Sequence, residues 1–322
     1  MKDTRRTDKS LLSSLVQFIL KPIGAKITAP KNEFPAGSPE LTPHSSVSKH
    51  CRISSRRVQG IWIYDLSAKA SSSSKLSTTN GKTPKRRIYY VAGGTWQEPP
   101  SPQHWKLCTE MCRRIPDSTV SVISMPLAPN SPAPKVFDDL LALYHELMSA
   151  DDESITFAGD SSGGNIILGM VLAALSGSNN GVESRVPDSL LLVSPAVDLR
   201  PMNPENAELA AVQKRDPVLV IPTSNKGAAK WVGDWDASDP RVTPVNAEVG
   251  LLAERGVKVY GVTGGNDIRT PEALRFRDLC MKYDVQGEWL DWGGQMHCFP
   301  LAWMYGIRES KEGKEWVLRV LA

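Results

Sequence analysis

The sequence predicts an α/β fold in which helices cover both faces of a mostly parallel sheet. The first observation is a series of short apolar runs, most of them continuous, as expected of strands buried on both faces. The second is that helical patterns alternate with these runs along most of the chain. The predicted strands are residues 60–66, 87–94, 119–127, 154–160, 189–199, 257–265 and 285–292.

Helices are predicted where apolar residues recur every three or four positions. These segments are 104–115, 136–148, 165–175, 271–282 and 309–321. No helical pattern separates the first two strands, so we expect strands 60–66 and 87–94 to pair antiparallel. Between them, residues 67–86 are rich in Ser, Lys and Thr and lack apolar periodicity. This composition predicts a flexible surface insertion.

Two segments interrupt the alternation and are predicted to cover the carboxyl end of the sheet. Residues 200–248 form a Pro-rich helical insertion, and residues 1–50 form an N-terminal helical cap segment, which leaves 51–322 as the core. In the N-terminal segment an apolar stripe predicts a packed amphipathic helix that ends near Pro22. Contact with a membrane surface is the alternative for this helix.

The N-terminal apolar run is a poor match to either a signal peptide or a membrane span. Asp3 and Asp8 dilute the positive charge that precedes it, and Ser13, Ser14 and Gln17 interrupt it. The run is also much shorter than the roughly 20 residues that a membrane-spanning helix needs. We therefore expect neither a leader nor an anchor here.

Charge and cysteine content exclude several classes of function. The 38 Lys and Arg residues exceed the 35 Asp and Glu by only three, and the basic residues are scattered, which argues against a nucleic-acid partner. The five cysteines show no CxxC pair, so neither a disulfide framework nor a zinc site is predicted. Reduced thiols in the cytoplasm are the expectation, with no metal and no cofactor.

The most informative stretch is ITFAGDSSGGNI, residues 155–166, which places two serines in a glycine-rich turn. A phosphate loop would need a Lys after the glycines, and a dinucleotide site would need G-x-G-x-x-G; neither is present. The remaining functional pattern is G-x-S-x-G, a strand-to-helix turn that exposes a nucleophile. Only Ser161 has glycine at both flanking positions, Gly159 and Gly163. We therefore predict Ser161 as the nucleophile and the Ser162 N–H as an oxyanion donor.

A serine nucleophile needs a base, and the base needs an acid that orients it. In folds with this turn the acid and then the base follow the serine along the chain, each after a strand. Asp267 follows the strand VKVYGVTGG, and His297 follows EWLDW and a short glycine turn. They are the predicted acid and base, with Asp284 and Asp291 as weaker alternatives for the acid. Gly93 and Gly94, in the turn VAGGTW, are predicted to supply further oxyanion N–H donors.

These motifs together resemble the hormone-sensitive-lipase-like branch of the α/β-hydrolase superfamily, including fungal esterases of secondary metabolism and steryl acetate hydrolases. Gly159 to Gly164 read GDSSGG where that branch has GDSAGG, and Ala92 to Thr95 read AGGT where it has HGGG. The resemblance covers roughly residues 50–322 and implies an eight-stranded sheet with a helical cap. Ala92 and Thr95 depart from the family pattern and imply a less rigid oxyanion loop, whereas Ser162 in place of Ala looks minor.

The resemblance also implies a pocket under the cap, for which the candidates are Trp96, His104, Trp231 and Trp235. The expected function is a serine esterase that acts on a carboxylic ester of a medium-sized hydrophobic molecule, such as an acetylated fungal secondary metabolite. An acyltransferase, thioesterase, cyclase or lyase on the same fold is the alternative, because fold does not determine the reaction. A binding protein on an inactive scaffold is disfavoured by the presence of His297. The sequence leaves the oligomeric state open.

Overall fold

The computed structural model of the protein describes residues 1–69, 85–149, 153–177 and 185–322. A nine-stranded sheet runs through it in the order β1-β9-β8-β7-β6-β4-β5-β3-β2. The strands are β1 Lys2–Arg6, β2 Cys51–Val58, β3 Ile61–Ala68, β4 Lys85–Val91, β5 Ser118–Ile123, β6 Glu153–Asp160, β7 Ser189–Val193, β8 Lys258–Asn266 and β9 Gly287–Met296.

Eleven α-helices accompany these strands in the described part of the chain. They are α1 Leu11–Leu20, α2 Gly24–Ile27, α3 Val47–His50, α4 Pro102–Arg114, α5 Ala133–Met148, α6 Ser162–Gly177, α7 Ala207–Arg215, α8 Ile221–Val232, α9 Gly250–Glu254, α10 Thr270–Lys282 and α11 Arg308–Leu321. The five helices predicted from apolar periodicity are confirmed as α4, α5, α6, α10 and α11. The α/β prediction is thus confirmed, with one strand more than the expected eight.

The extra strand comes from the N-terminus, where β1 pairs parallel with β9 at one edge of the sheet. Its sequence KDTRR has no apolar alternation to mark it as a strand. An edge strand needs little apolar character, because one side of its backbone and much of its side-chain surface face water. For this reason the sequence pattern did not predict a strand at residues 2–6.

The prediction that strands 60–66 and 87–94 pair with each other is wrong. β3 instead pairs antiparallel with β2 and with β5, while β4 lies between β5 and β6 and is parallel to both. A parallel β4–β5 pair requires a crossover, which α4 provides. Most of the predicted insertion 67–86 lies outside the described residues.

Two hydrophobic clusters cover the two faces of the sheet, and β7 contributes to both. Leu190 and Leu192 belong to one cluster, and Leu191 and Val193 belong to the other. Successive side chains of a strand point to opposite faces, so a central strand covered on both sides is apolar throughout. This arrangement keeps the sheet rigid and brings the loops at the carboxyl ends of its strands together.

The N-terminal helix α1 forms where the apolar spacing predicts it, but most of the predicted apolar stripe is exposed. Ser13 and Gln17 are its buried residues, whereas Leu11, Leu15 and Ile19 are exposed. The reason is hydrogen bonding: Ser13 Oγ donates to Gln295 Oε1 at 3.1 Å, and Gln17 Nε2 donates to the Gly294 carbonyl at 2.9 Å. In the described ranges, no helix is long and apolar enough to cross a membrane.

Candidate active site

Three side chains meet where three parallel strands end. Ser161 directly follows β6, Asp267 directly follows β8, and His297 directly follows β9. His297 Nε2 lies 2.9 Å from Ser161 Oγ, and His297 Nδ1 lies 2.8 Å from Asp267 Oδ2. The structure therefore brings together the three residues that the sequence predicted, in hydrogen-bonding order.

The turn at Ser161 is as tight as the glycine pattern requires. Ser161 has a φ of 51°, a left-handed conformation that costs energy for a residue with a side chain. A Cβ added at Gly159 would lie 2.8 Å from the backbone of Gly163, and one added at Gly163 would collide with the backbone of Val91. The glycines are therefore needed because strand, turn and helix approach too closely for any side chain.

Burial and hydrogen bonding fix the acid and the base. Asp267 is fully buried, and its Oδ1 accepts the Arg269 N–H at 2.8 Å, which leaves Oδ2 directed at His297. Burial by itself would lower the pKa of His297, but the neighbouring Asp267 carboxylate outweighs this and holds that pKa well above its usual value. Asp291 lies within β9 and Asp284 in the preceding turn, so neither alternative acid occupies this position.

The predicted oxyanion donors are arranged differently from one another. The Gly93 N–H donates to Asp160 Oδ1 at 3.0 Å. Because this donor already has an acceptor, the geometry does not favour its predicted role as an oxyanion donor. The Gly94 N–H donates to Ser162 Oγ at 3.1 Å. The Ser162 N–H belongs to the first turn of α6, where backbone donors have no acceptor within the helix. Thr95, with a φ of 53°, continues the same tight loop.

Asp160 connects the oxyanion loop to the nucleophile turn, a connection that the sequence reading missed. Its carboxylate accepts hydrogen bonds from Tyr90 Oη at 2.7 Å, from the Gly93 N–H, and from His104 Nε2 at 3.2 Å. Burial alone would raise the pKa of Asp160, but His104, Tyr90 and Gly93 outweigh it and lower that pKa. The Asp160 carboxylate thus fixes the backbone of the oxyanion loop at Gly93.

His104 donates to Asp160 in a defined tautomer. The backbone N–H of Ser101 donates to His104 Nδ1 at 2.9 Å, so this nitrogen carries no proton and Nε2 carries it instead. Ala92 stands where the HGGG motif of the resembled branch has its histidine. In this protein a different imidazole, that of His104 at the start of α4, contacts the Asp160 carboxylate that binds the loop. Only the position of the Asp in GDSSGG, beside the nucleophile, could have indicated this network.

A cavity of about 540 Å³ opens beside Ser161 and His297. His104 lines it, as predicted, together with residues 27–29, the loop 93–95, Val218 and Leu219. Trp96, Trp231 and Trp235 do not line it, which corrects the pocket prediction. Trp96 and Trp231 are buried in the core cluster that includes α5, and Trp235 packs edge-on against Phe137. Trp231 and Trp235 therefore pack on the core and do not line the pocket.

Two segments that the sequence assigned to a cap touch each other at the mouth of this cavity. Lys21 Nζ donates to the carbonyls of Gln213 and Asp216, both at 2.7 Å, and Thr28 Oγ1 donates to the Val218 carbonyl at 3.3 Å. The two segments therefore contact each other, and their residues 27, 28, 218 and 219 form one wall of the cavity that contains Ser161.

Asp216 links this wall to the acid of the site and was missed by the sequence reading. Its Oδ1 accepts the N–H groups of Val218 and Leu219, and its Oδ2 accepts the N–H of Ile268, next to Asp267. Burial, reinforced by the nearby Asp267 carboxylate, raises the pKa of Asp216 to about 6. A buried carboxylate inside a Pro-rich insertion has no sequence pattern that separates it from a helix cap.

In the described part of the chain, no three His, Cys, Asp or Glu side chains are grouped so that they could hold a metal ion. The site's chemistry can be argued from Ser161, His297 and Asp267 alone: a hydroxyl, an imidazole that can accept its proton, and a carboxylate that orients the imidazole.

Solved structures share this fold over nearly the whole chain. The chain is similar to an esterase/lipase from an uncultured bacterium, with a TM-score of 0.72, 19% identity and 97% of each chain covered. It is similar to a hormone-sensitive lipase from a metagenome library, with a TM-score of 0.72, 19% identity and 98% of each chain covered. At these identities the likeness shows the fold.

Sequence comparison gives a partial relative and a family. Over 176 residues the chain is 25% identical to LipR of Mycobacterium tuberculosis, a protein whose name describes it as an acetyl-hydrolase. The match covers 54% of this chain and 53% of LipR, so the chain spans about half the length of that curated relative. Residues 88–301 match the family model described as the alpha/beta hydrolase fold. Because that match covers well over half of the 322 residues, the chain belongs to the α/β hydrolase fold family.

Proposed function

We propose that this protein is a serine hydrolase that cleaves a carboxylic ester through an acyl-enzyme. The observation that carries the proposal is the hydrogen-bonded series Ser161 Oγ, His297 and Asp267, at 2.9 and 2.8 Å. An unassisted serine hydroxyl is a weak nucleophile, and a base in hydrogen-bonding contact with it removes that limitation. The names of the similar proteins, an esterase/lipase and an acetyl-hydrolase, support the same reaction class.

In the first half of the proposed reaction, Ser161 Oγ attacks the ester carbonyl carbon while His297 Nε2 takes the hydroxyl proton. The carbonyl oxygen becomes an oxyanion, for which the Ser162 N–H and the Gly94 N–H are the proposed donors. The C–O bond to the leaving alcohol then breaks, and the His297 imidazolium returns the proton to that alcohol. Asp267 holds Nδ1 protonated, so Nε2 stays free to act as the base.

In the second half, water replaces the alcohol. His297 takes a proton from the water as its oxygen attacks the acyl carbon, and the bond to Ser161 Oγ breaks as the proton passes to the serine oxygen. The carboxylic acid leaves, and the enzyme is restored. An acyl acceptor other than water would make the same site an acyltransferase, which is why the products need to be identified.

The cavity supports a medium-sized, largely apolar substrate. Its volume of about 540 Å³ lies within the range of small-molecule sites, and Ile27, Val218, Leu219 and Leu301 are among its apolar lining. The name of LipR favours an acetyl ester. The resemblance to fungal secondary metabolism and the cytoplasmic location stay predictions, as does the division into a cap of residues 1–50 and 200–248 over a core.

Replacement of the nucleophile tests the proposal directly. We expect Ser161→Ala to abolish turnover of p-nitrophenyl acetate and covalent labelling by a fluorophosphonate probe, since both need the Oγ atom. Ser162→Ala is the matched control, because it removes the adjacent hydroxyl and should still label. A wild-type protein that takes no label and releases no acetate would refute the hydrolase proposal. A series of p-nitrophenyl esters from acetyl to octanoyl tests the preferred acyl length.

A further inference from the structure

The exposed apolar side chains of this protein are concentrated on one short segment. In the described part of the chain ten large hydrophobic side chains are exposed, and seven of them lie between residues 11 and 27. Together they form what we call the N-terminal apolar face, whose members are Leu11, Leu12, Leu15, Phe18, Ile19, Ile23 and Ile27. Leu11 and Phe18 are 91% and 78% exposed, so they protrude from the surface rather than line a groove. An apolar cluster of this kind marks an interaction surface.

The orientation of this face is imposed by the polar side of the helix. Gln17 Oε1 accepts hydrogen bonds from Asn266 Nδ2 at 2.8 Å and from Lys9 Nζ at 3.0 Å, and Val16 and Leu20 pack against the core. Asn266 is the residue before the triad's Asp267. Helix α1 is therefore held on the ends of β8 and β9 that precede Asp267 and His297. Its exposed leucines cannot turn inward without breaking these buried hydrogen bonds.

The charge of the N-terminal apolar face and its flanks is predominantly positive. Residues 9–31 contain four lysines and no aspartate or glutamate. Lys21, Lys26 and Lys31 are exposed, as are Lys214 and Arg215 at the end of α7, close to the carbonyls that Lys21 contacts. The nearest acidic residue before the segment, Asp8, is already paired with Arg6 and Arg308. Two acidic side chains reach the flanks, Glu309 at Ser10 and Glu98 at the backbone of Lys31. The surface thus combines protruding apolar side chains with an excess of positive charge.

We propose that the N-terminal apolar face docks on an anionic lipid surface. A helix with apolar side chains on one side and flanking lysines is suited to lie in the headgroup region, with the apolar side chains among the acyl chains and the lysines at the phosphates. A second copy of this chain fits the face less well, because a symmetric contact would place two sets of lysines against each other.

Docking in this orientation would place the lipid at the mouth of the cavity. Ile27 belongs both to the N-terminal apolar face and to the lining of the cavity that contains Ser161. Residues 28, 29 and 31 continue the same wall. An apolar ester dissolved in the lipid would then enter the cavity without crossing water. Delivery of such a substrate rests on the proposed ester hydrolysis, whereas the docking itself does not.

Co-sedimentation with vesicles tests the docking without any turnover. The full chain is mixed with vesicles of phosphatidylcholine containing about 30% phosphatidylserine, or of phosphatidylcholine alone. We expect it to sediment with the anionic vesicles, and we expect Leu11→Ser with Phe18→Ser to reduce that binding roughly tenfold. Lys26→Gln should weaken it by roughly fivefold, since one basic residue near an anionic surface contributes about 1 kcal/mol.

Met281→Ser with Tyr283→Ser is the matched control, because both residues are exposed and apolar but lie at the end of α10. This control should bind vesicles like the wild type, and all of these variants should hydrolyse soluble p-nitrophenyl acetate like the wild type. Ser161→Ala should also bind, which separates failure of the docking from failure of the proposed reaction. Wild-type protein that stays in the supernatant, or binds neutral vesicles equally, overturns the proposal. So does a dimer, detected by light scattering, that Leu11→Ser with Phe18→Ser dissociates.

Discussion

The hydroxyl oxygen of Ser162 accepts a hydrogen bond from the backbone N–H of Gly94 at 3.1 Å. The residue after the nucleophile therefore reaches across the site and occupies a donor that the proposed mechanism needs for the oxyanion. Alanine, the residue of the related motif, could not do this. The serine in GDSSGG looked like a minor departure in the sequence, and in the structure it is a direct contact between the two walls of the oxyanion hole.

We expect Ser162→Ala to raise kcat for p-nitrophenyl acetate severalfold, because the Gly94 N–H no longer has to exchange one acceptor for another as the oxyanion forms. A single oxyanion donor is worth about 3 to 4 kcal/mol, so even partial release would be measurable. Steady-state kinetics measure the change, and Ser162→Thr, which keeps the hydroxyl, is the control. A fall in kcat would instead mean that the hydroxyl itself stabilises the transition state.

His104 is expected to act as a positioning residue through Asp160. Removing its Nε2–H in His104→Ala leaves the buried Asp160 carboxylate with fewer donors and loosens the Gly93 loop. We expect kcat to fall by roughly tenfold with little change in KM, because a looser loop stabilises the oxyanion less but binds the ester about as well. His104→Gln should restore most of the activity, since its amide can donate in the same direction. Equal loss in both variants would indicate a general packing role.

The raised pKa of His297 predicts where activity is lost in acid. The imidazole must be unprotonated to accept the Ser161 proton, so activity is absent below its pKa and rises with pH through it. Because Asp267 raises that pKa, the midpoint of the acidic limb of kcat/KM should lie above 6.5, the usual histidine value. A profile of kcat/KM from about pH 4.5 to 9 measures this midpoint, because that range extends to both sides of the usual histidine pKa.

Asp267→Asn should reduce kcat by up to about 10⁴-fold, because the amide no longer selects the correct tautomer of His297. Any residual activity should have its acidic midpoint moved to lower pH, since the carboxylate that raised the histidine pKa is gone. Asp291→Asn serves as the control, because that carboxyl lies within β9 and away from the imidazole. A midpoint that stays unchanged in Asp267→Asn would show that another group sets the acidic limb.

Asp216 should contribute to stability rather than to the chemical step. Asp216→Ala would leave the N–H groups of Val218, Leu219 and Ile268 without their acceptor, and an unsatisfied buried donor costs about 1 to 3 kcal/mol. Relief of the repulsion with Asp267 offsets part of this. We expect the free energy of unfolding, measured with urea, to fall by at least about 2 kcal/mol. The exposed Asp236→Ala, in the same segment, should change it little; equal stability of both variants would contradict the prediction.

The sequence by itself determined the fold class, the place of Ser161 in a turn after β6, and the order of Asp267 and His297 along the chain. These features are local: apolar periodicity marks buried strands and helices, and Gly159 and Gly163 are required wherever backbone segments pass this closely. Parallel strands that end at one edge of a sheet then bring their following residues together, which is why order along the chain was enough to predict the three residues of the site.

Only the tertiary structure decided which partner each polar group takes. Long-range hydrogen bonds from Gly93 to Asp160, from Gly94 to Ser162 and from Ile268, beside Asp267, to Asp216 join segments far apart in the chain. The same reason explains helix α1, whose spacing predicted a buried apolar stripe. Its orientation is set by Ser13 and Gln17 bonding to Gln295 and Gly294. A periodic pattern shows that a helix has two faces, and the contacts of the folded chain determine which of them is buried.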